Sequence, residues 1–183
     1  MKALDKINTL LLCDIAEHLG IEGDVNVGFV RAAIQNGHTW AIEQRYGSDR
    51  SESDEERKPV VQKVHDVMHL WTVLEDAYEQ LNAAEKAELE VRVPHVSKDV
   101  RWGGFDGNNE SEYMSVLAFM VGYMDFYPNF RGREHLNSHM PTLETFERMW
   151  AAYQPIRDSM PEYPLELDDL TTILSARVHP SRR

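Results

Sequence analysis

The sequence predicts an all-α fold, a multi-helix orthogonal or bundle-like single domain spanning residues 1–183. Three observations carry that reading. Apolar residues recur at intervals of three and four through most of the chain, Gly and Pro fall between those segments, and no run alternates apolar and polar residues long enough to make a strand. No internal repeat is present. A chain of 183 residues buries roughly two-thirds of the surface its unfolded form exposes, which suits one core. Its 42% hydrophobic and 27% charged residues are ordinary globular values and exclude a fibrous or wholly disordered chain.

The first helix runs from Ala3 to Leu19, with Leu4, Ile7, Leu11, Ile15 and Leu19 at helical spacing and Gly20 as its stop. Two short helices follow between Asn26 and Tyr46, separated at Asn36-Gly37. These N-terminal helices, residues 3–46, are expected to pack on the rest of the domain. Ser48 to Lys58 contains no large apolar residue and reads as a solvated connector, with Asp54, Glu55 and Glu56 ahead of Pro59 favouring the positive end of a new helix.

That helix is the best-defined element. Val60, Val64, Val67, Trp71, Leu74, Tyr78 and Leu81 form a heptad-like stripe, which predicts lengthwise packing against another long helix. Val61, Met68 and Leu70 widen the stripe and favour a globular bundle over a two-stranded coiled coil. The helix continues through Ala83, Ala84 and Ala87 or restarts at Ala83. The pattern becomes irregular from Val91 to Val100, and Gly103, Gly104, Gly107, Asn108 and Asn109 make a tight loop. Glu110 to about Tyr127 reads as a central helix, apolar on more than one face. Pro128 ends it, Asn129 to Met140 form a polar, aromatic loop, and Pro141-Thr142 open a helix with Leu143, Phe146, Trp150 and Tyr153 inward. Pro155, Pro161 and Pro164 are expected to break the chain again before a last helix, about Leu167 to Val178, buries Leu170, Ile173 and Leu174.

Charge and cysteine usage narrow the function classes. With 19 Lys+Arg against 31 Asp+Glu, the formal charge of -12 disfavours nucleic-acid binding. Arg131, Arg133 and the tail residues Arg177, Arg182 and Arg183 are the candidates for a local basic patch, the tail reading as a frayed terminus. Cys13, the single cysteine, rules out an intrachain disulfide and suits a cytoplasmic location. It sits within a helical apolar pattern and reads as an inert buried thiol. The apolar run Leu10-Leu11-Leu12 is too short for a signal segment or a membrane span.

Three segments resemble the YfbU family. The first is Asp66-Val67-Met68-His69-Leu70-Trp71 with Leu74, Tyr78 and Leu81. The second is Gly104-Phe105-Asp106 followed by Glu110, Tyr113, Phe119, Met120 and Val121. The third is Asn137, Pro141, Glu144, Arg148 and Met149, continuing to Tyr163, Leu165, Ile173 and Ala176. Together they span about residues 54–176, with a looser match over the first 50. The resemblance implies an all-helical fold, bacterial or archaeal cytoplasmic origin and homo-oligomers, and it supplies no catalytic residue.

Several constellations invite a chemical reading. His65 and His69 stand one helical turn apart, the spacing of two ligands to a divalent metal, but no third ligand is indicated and surface histidines are the simpler account. Gly103-Gly104-Phe105-Asp106-Gly107 precedes a helix and has the composition of an anion cradle; the simpler reading is a turn with Asp106 or Asn109 as cap and Phe105 packed as a staple. Within it, Phe105 and Asp106 are candidate binding residues. Arg133 and His139 resemble the Arg-then-His pair of small helical ribonucleases, with His as acid or base and Arg stabilising phosphorane charge. Tyr127 and Phe130, with Phe126, sit at a helix end and in a loop, where they suit an interface or pocket rim. No nucleophile motif and no cofactor fingerprint occurs, so no cofactor is expected. The expected function is a homo-oligomer acting through protein contacts, with a further protein partner open; the alternative is a hydrolase at Arg133 and His139 or at His65 and His69.

Overall fold

Eight α-helices carry most of the chain in a computed structural model that describes residues 1–47, 59–94, 100–159 and 164–179. They are α1 (Ala3–Leu19), α2 (Val27–Gln35), α3 (Trp40–Tyr46), α4 (Pro59–Gln80), α5 (Ala83–Arg92), α6 (Ser111–Tyr123), α7 (Leu143–Ser159) and α8 (Leu167–Ser175), with a 3₁₀ turn at Pro128–Phe130. The all-α class holds: no strand forms among the described residues, where a β-bridge joins Phe105 to Asn137. No described helix is long and apolar enough to cross a membrane. The acidic connector at 48–58, Pro161 and the terminal arginines 182 and 183 lie outside the described residues. The chain divides into two compact units, Met1–Gln62 and Lys63–Arg183.

In the first unit Gly20 takes φ 61 and ends α1, its N–H donating to Glu17 O at 3.2 Å. The Asn26 side chain caps α2 by accepting from Phe29 N at 2.8 Å. From α2, Arg31 reaches back to α1 and pairs with Asp14 at 2.8 Å and Glu17 at 2.9 Å. Tyr46 at the end of α3 returns to the start of α2, where its hydroxyl accepts from Asn26 N at 2.8 Å and its ring meets Phe29 edge-on.

In the second unit Val64, Val67, Trp71 and Leu74 of the α4 stripe are buried. Lys63 reaches Glu147 at 3.4 Å and His69 reaches Tyr153 at 3.1 Å, both at a sequence offset of 84, which sets α4 and α7 side by side and running the same way. The chain restarts as α5 because Asn82 accepts from Ala84 N and Glu85 N while Glu85 accepts from Asn82 N, a reciprocal capping box. Arg92 at the end of α5 bonds Asp168 in the first turn of α8.

Two boundaries differ from expectation. Helix α6 stops at Tyr123 rather than near Tyr127, because Asp125 and Tyr127 adopt left-handed backbone (φ 54 each) that no helix continues through. Pro155 does not break the chain: it lies inside α7, which runs on to Ser159. A proline there forgoes one backbone hydrogen bond, and the burial of Phe146, Met149 and Tyr153 along the same helix holds it in place.

Candidate functional site

The glycine-rich loop is built around two buried carboxylates. Asp106, 1% exposed, accepts from Asn108 N at 3.1 Å and from the Asn109 amide, bonds that hold its carboxyl below the ordinary aspartate value. Glu110, 4% exposed, accepts from Asp106 N (2.9 Å), Thr142 N (2.6 Å), Thr142 Oγ1 (2.7 Å) and Leu143 N (2.9 Å). Desolvation pushes the Glu110 carboxyl up, yet these bonds outweigh it and the net shift is downward. Glu110 therefore caps α7 from a distance in sequence and ties that helix to the loop before α6. Phe105, 1% exposed, packs edge-on against Trp102 with ring centroids 4.9 Å apart. Both loop residues thus hold the fold from inside it: Phe105 packs against Trp102 and Tyr113, and the helix that follows has Glu110 at its N-cap, without a side-chain cap, rather than Asp106 or Asn109.

Arg133 makes a two-pronged pair with Glu75 of α4 at 3.0 and 2.8 Å, donates to Asn129 O, and lies over the Phe130 ring. The same Glu75 carboxylate accepts from Trp102 N at 2.7 Å. His139 is exposed at φ 54, with its backbone N–H bonded to Asn137 Oδ1, and no hydrogen bond or ion pair joins it to Arg133. Phe130 is fully buried rather than at a rim.

The two histidines of α4 each meet a different tyrosine. His65 Nδ1 lies 2.6 Å from the Tyr127 hydroxyl, and His69 Nε2 lies 3.1 Å from that of Tyr153. Burial pushes the Tyr127 phenol up to about 12 and the His69 imidazole below its ordinary value. His69 is exposed, as expected of a solvent-facing side, whereas His65 is half-buried; Phe126 lies beside His65 and Trp150 beside His69. No cluster of three metal-ligating side chains occurs among the described residues.

Two features were not singled out in sequence. The first is a cleft of about 190 Å³ in the second unit, walled by Trp71, Trp102, Phe146 and Met149 and edged by Arg101 and Arg177. Arg177 does not fray: its guanidinium lies over the Trp71 ring at 5.8 Å, and burial lowers its pKa. Its sequence signal was position, three and four residues beyond Leu174 and Ile173 and so on their buried face.

The second is the face of α1. Leu4, Ile7, Leu11, Leu12, Ile15 and Leu19 are each 52–72% exposed, whereas Cys13 is 5% exposed. At 3.6 residues per turn the six occupy an arc of about 140°, with Cys13 near its opposite side. The helix thus turns its thiol inward and its largest aliphatic side chains to solvent.

A family model described as the YfbU domain matches residues 5–176. No solved structure matches the chain.

Proposed function

The chain belongs to the YfbU family, and from that premise we propose that it works as a homo-oligomer whose subunits meet through the exposed aliphatic face of α1. That face is the observation carrying the reading. Its six large side chains present on the order of 600 Å² of apolar surface, at the upper end of what a monomer leaves in one patch and approaching the roughly 800 Å² one partner gives to a standard interface. Ile21 and Val25, each more than half exposed just beyond the helix, extend it.

The occupant is a second copy, because the stripe is self-complementary. Ile7 and Ile15 lie four residues either side of Leu11, so a two-fold axis at Leu11 sets each isoleucine against the other's counterpart in an antiparallel pair. Antiparallel pairing also opposes the two helix dipoles. Asn8 and His18 are the polar residues inside the arc. The lone thiol, buried in α1, suits a reducing compartment, and the proposal places the assembly in the cytoplasm.

Cysteine cross-linking tests the pairing. In a Cys13→Ala background, Leu11→Cys at the axis should oxidise to a covalent dimer, while Leu4→Cys should not, since its two copies lie about 20 Å apart along an antiparallel pair. Cross-linking of both variants alike, or of neither, would overturn the arrangement.

A further inference from the structure

We propose that the cleft between Trp71, Trp102, Phe146 and Met149 binds a small organic acid, a carboxylate carried on a single aromatic or branched apolar body, with Arg177 and Arg101 taking the carboxylate. This site is separate from the self-association face and does not rest on it.

The lining is the first argument. The chain has 31 acidic and 19 basic residues, yet among the described residues the charged side chains lining the cleft are both arginines and no carboxylate lines it. The walls are indole, phenyl and thioether, which accept a flat apolar body. A space of about 190 Å³ holds a ring with a short acid arm and little more.

Arg177 is the second argument. Arg31, Arg92, Arg131, Arg133 and Arg157 each bond a carboxylate. Arg177 is half-buried against Trp71 and makes no ion pair among the described residues. A guanidinium withdrawn from water without a carboxylate is destabilised until an anion supplies one, and its planar fork matches a carboxylate in two-pronged fashion.

The surroundings hold that arginine ready. Arg148 donates to Ala176 O at 3.2 Å and to Arg177 O at 3.1 Å, which fixes the backbone carrying Arg177 to α7. Arg148 also donates to Thr145 Oγ1 at 3.0 Å, so the hydroxyl proton of that lining residue is left for a ligand. Glu75 accepts from Trp102 N and fixes the wall that Trp102 forms beside Trp71. The buried Trp102 indole N–H makes no hydrogen bond among the described residues, a further polar group on that wall.

The test is a tryptophan-fluorescence titration of the full chain with phenylacetate, with phenylacetamide as its uncharged match and inorganic phosphate as an anion without a body. The expected result is saturable binding of phenylacetate with a Kd below about 1 mM. Phenylacetamide and phosphate should each bind at least about tenfold more weakly, roughly the effect of losing one charged hydrogen-bonded contact. Arg177→Gln should weaken phenylacetate by a similar factor. Arg101→Gln, at an exposed position that leaves folding intact, should weaken it by about threefold, so the proposal stays testable if the Arg177 variant fails to fold by circular dichroism. Absence of saturable binding, equal affinity for acid and amide, phosphate binding as tight as phenylacetate, or no change in Arg101→Gln would each overturn it.

Discussion

Glu110 shows how a buried carboxylate is committed to structure. Four donors converge on its carboxylate, and three are backbone N–H groups that would be stranded without it. Glu110→Ala should therefore cost about 3 kcal/mol in a denaturant titration, since buried donors lose their partner. The sign with pH follows from the depressed folded-state value. The stabilisation is fully present above the unfolded glutamate pKa of about 4.3 and is lost as pH falls through the lower folded value. Melting temperatures measured from pH 6 downward should drop more steeply below about pH 4.5 for the parent chain than for Glu110→Gln. The neighbouring glycines separate in the same way. A Cβ on Gly104 (φ 97) would stand 2.0 Å from Leu136 O, whereas one on Gly103 meets nothing within 4 Å. Gly104→Ala should cost at least about 3 kcal/mol and Gly103→Ala less than about 1, a difference readable in one thermal-melt comparison.

At the scale of elements, helices were legible wherever caps and periodicity agreed. Asn82 and Glu85 restart the chain as α5, and Asn82→Ala should lower stability by about 1 kcal/mol while leaving α4 intact by circular dichroism. Gly20 and Asn26 mark their boundaries in the same local way. The misses have long-range causes. The end of α6 is set by left-handed residues at Asp125 and Tyr127, the latter held by His65 from α4, 62 residues away in sequence. Pro155 persists because its helix is buried along one side. The candidate residues were legible as types, but their partners were not: Arg133 belongs to Glu75 and His65 meets Tyr127, over 58 and 62 residues. The cleft escaped notice because its walls come from α4, the glycine-rich loop, α7 and the turn after α8, and no local motif unites them.

At the scale of the molecule, periodicity shows which residues share a face and is silent on which way that face points. In α4 the apolar stripe is the buried one; in α1, equally periodic, it is the exposed one. Small and polar side chains, Cys13 together with Asp14 and Glu17 held by Arg31, turn α1 towards α2 instead. The family match covers α1 from its first turn. An aliphatic face of that size left in water costs solubility and invites self-pairing, and in the proposed assembly a second copy covers it. Light scattering at about 10 μM, a concentration above the Kd expected of a standard-sized interface, tests this most directly. The parent chain should weigh at least twice the 21.2 kDa of one chain, and Leu11→Asp with Ile15→Asp, which places two charges at the two-fold axis and one against each Ile7, should return it to a folded monomer. A parent chain of 21.2 kDa at that concentration, or a double variant that keeps the parent's mass, would contradict self-pairing through α1.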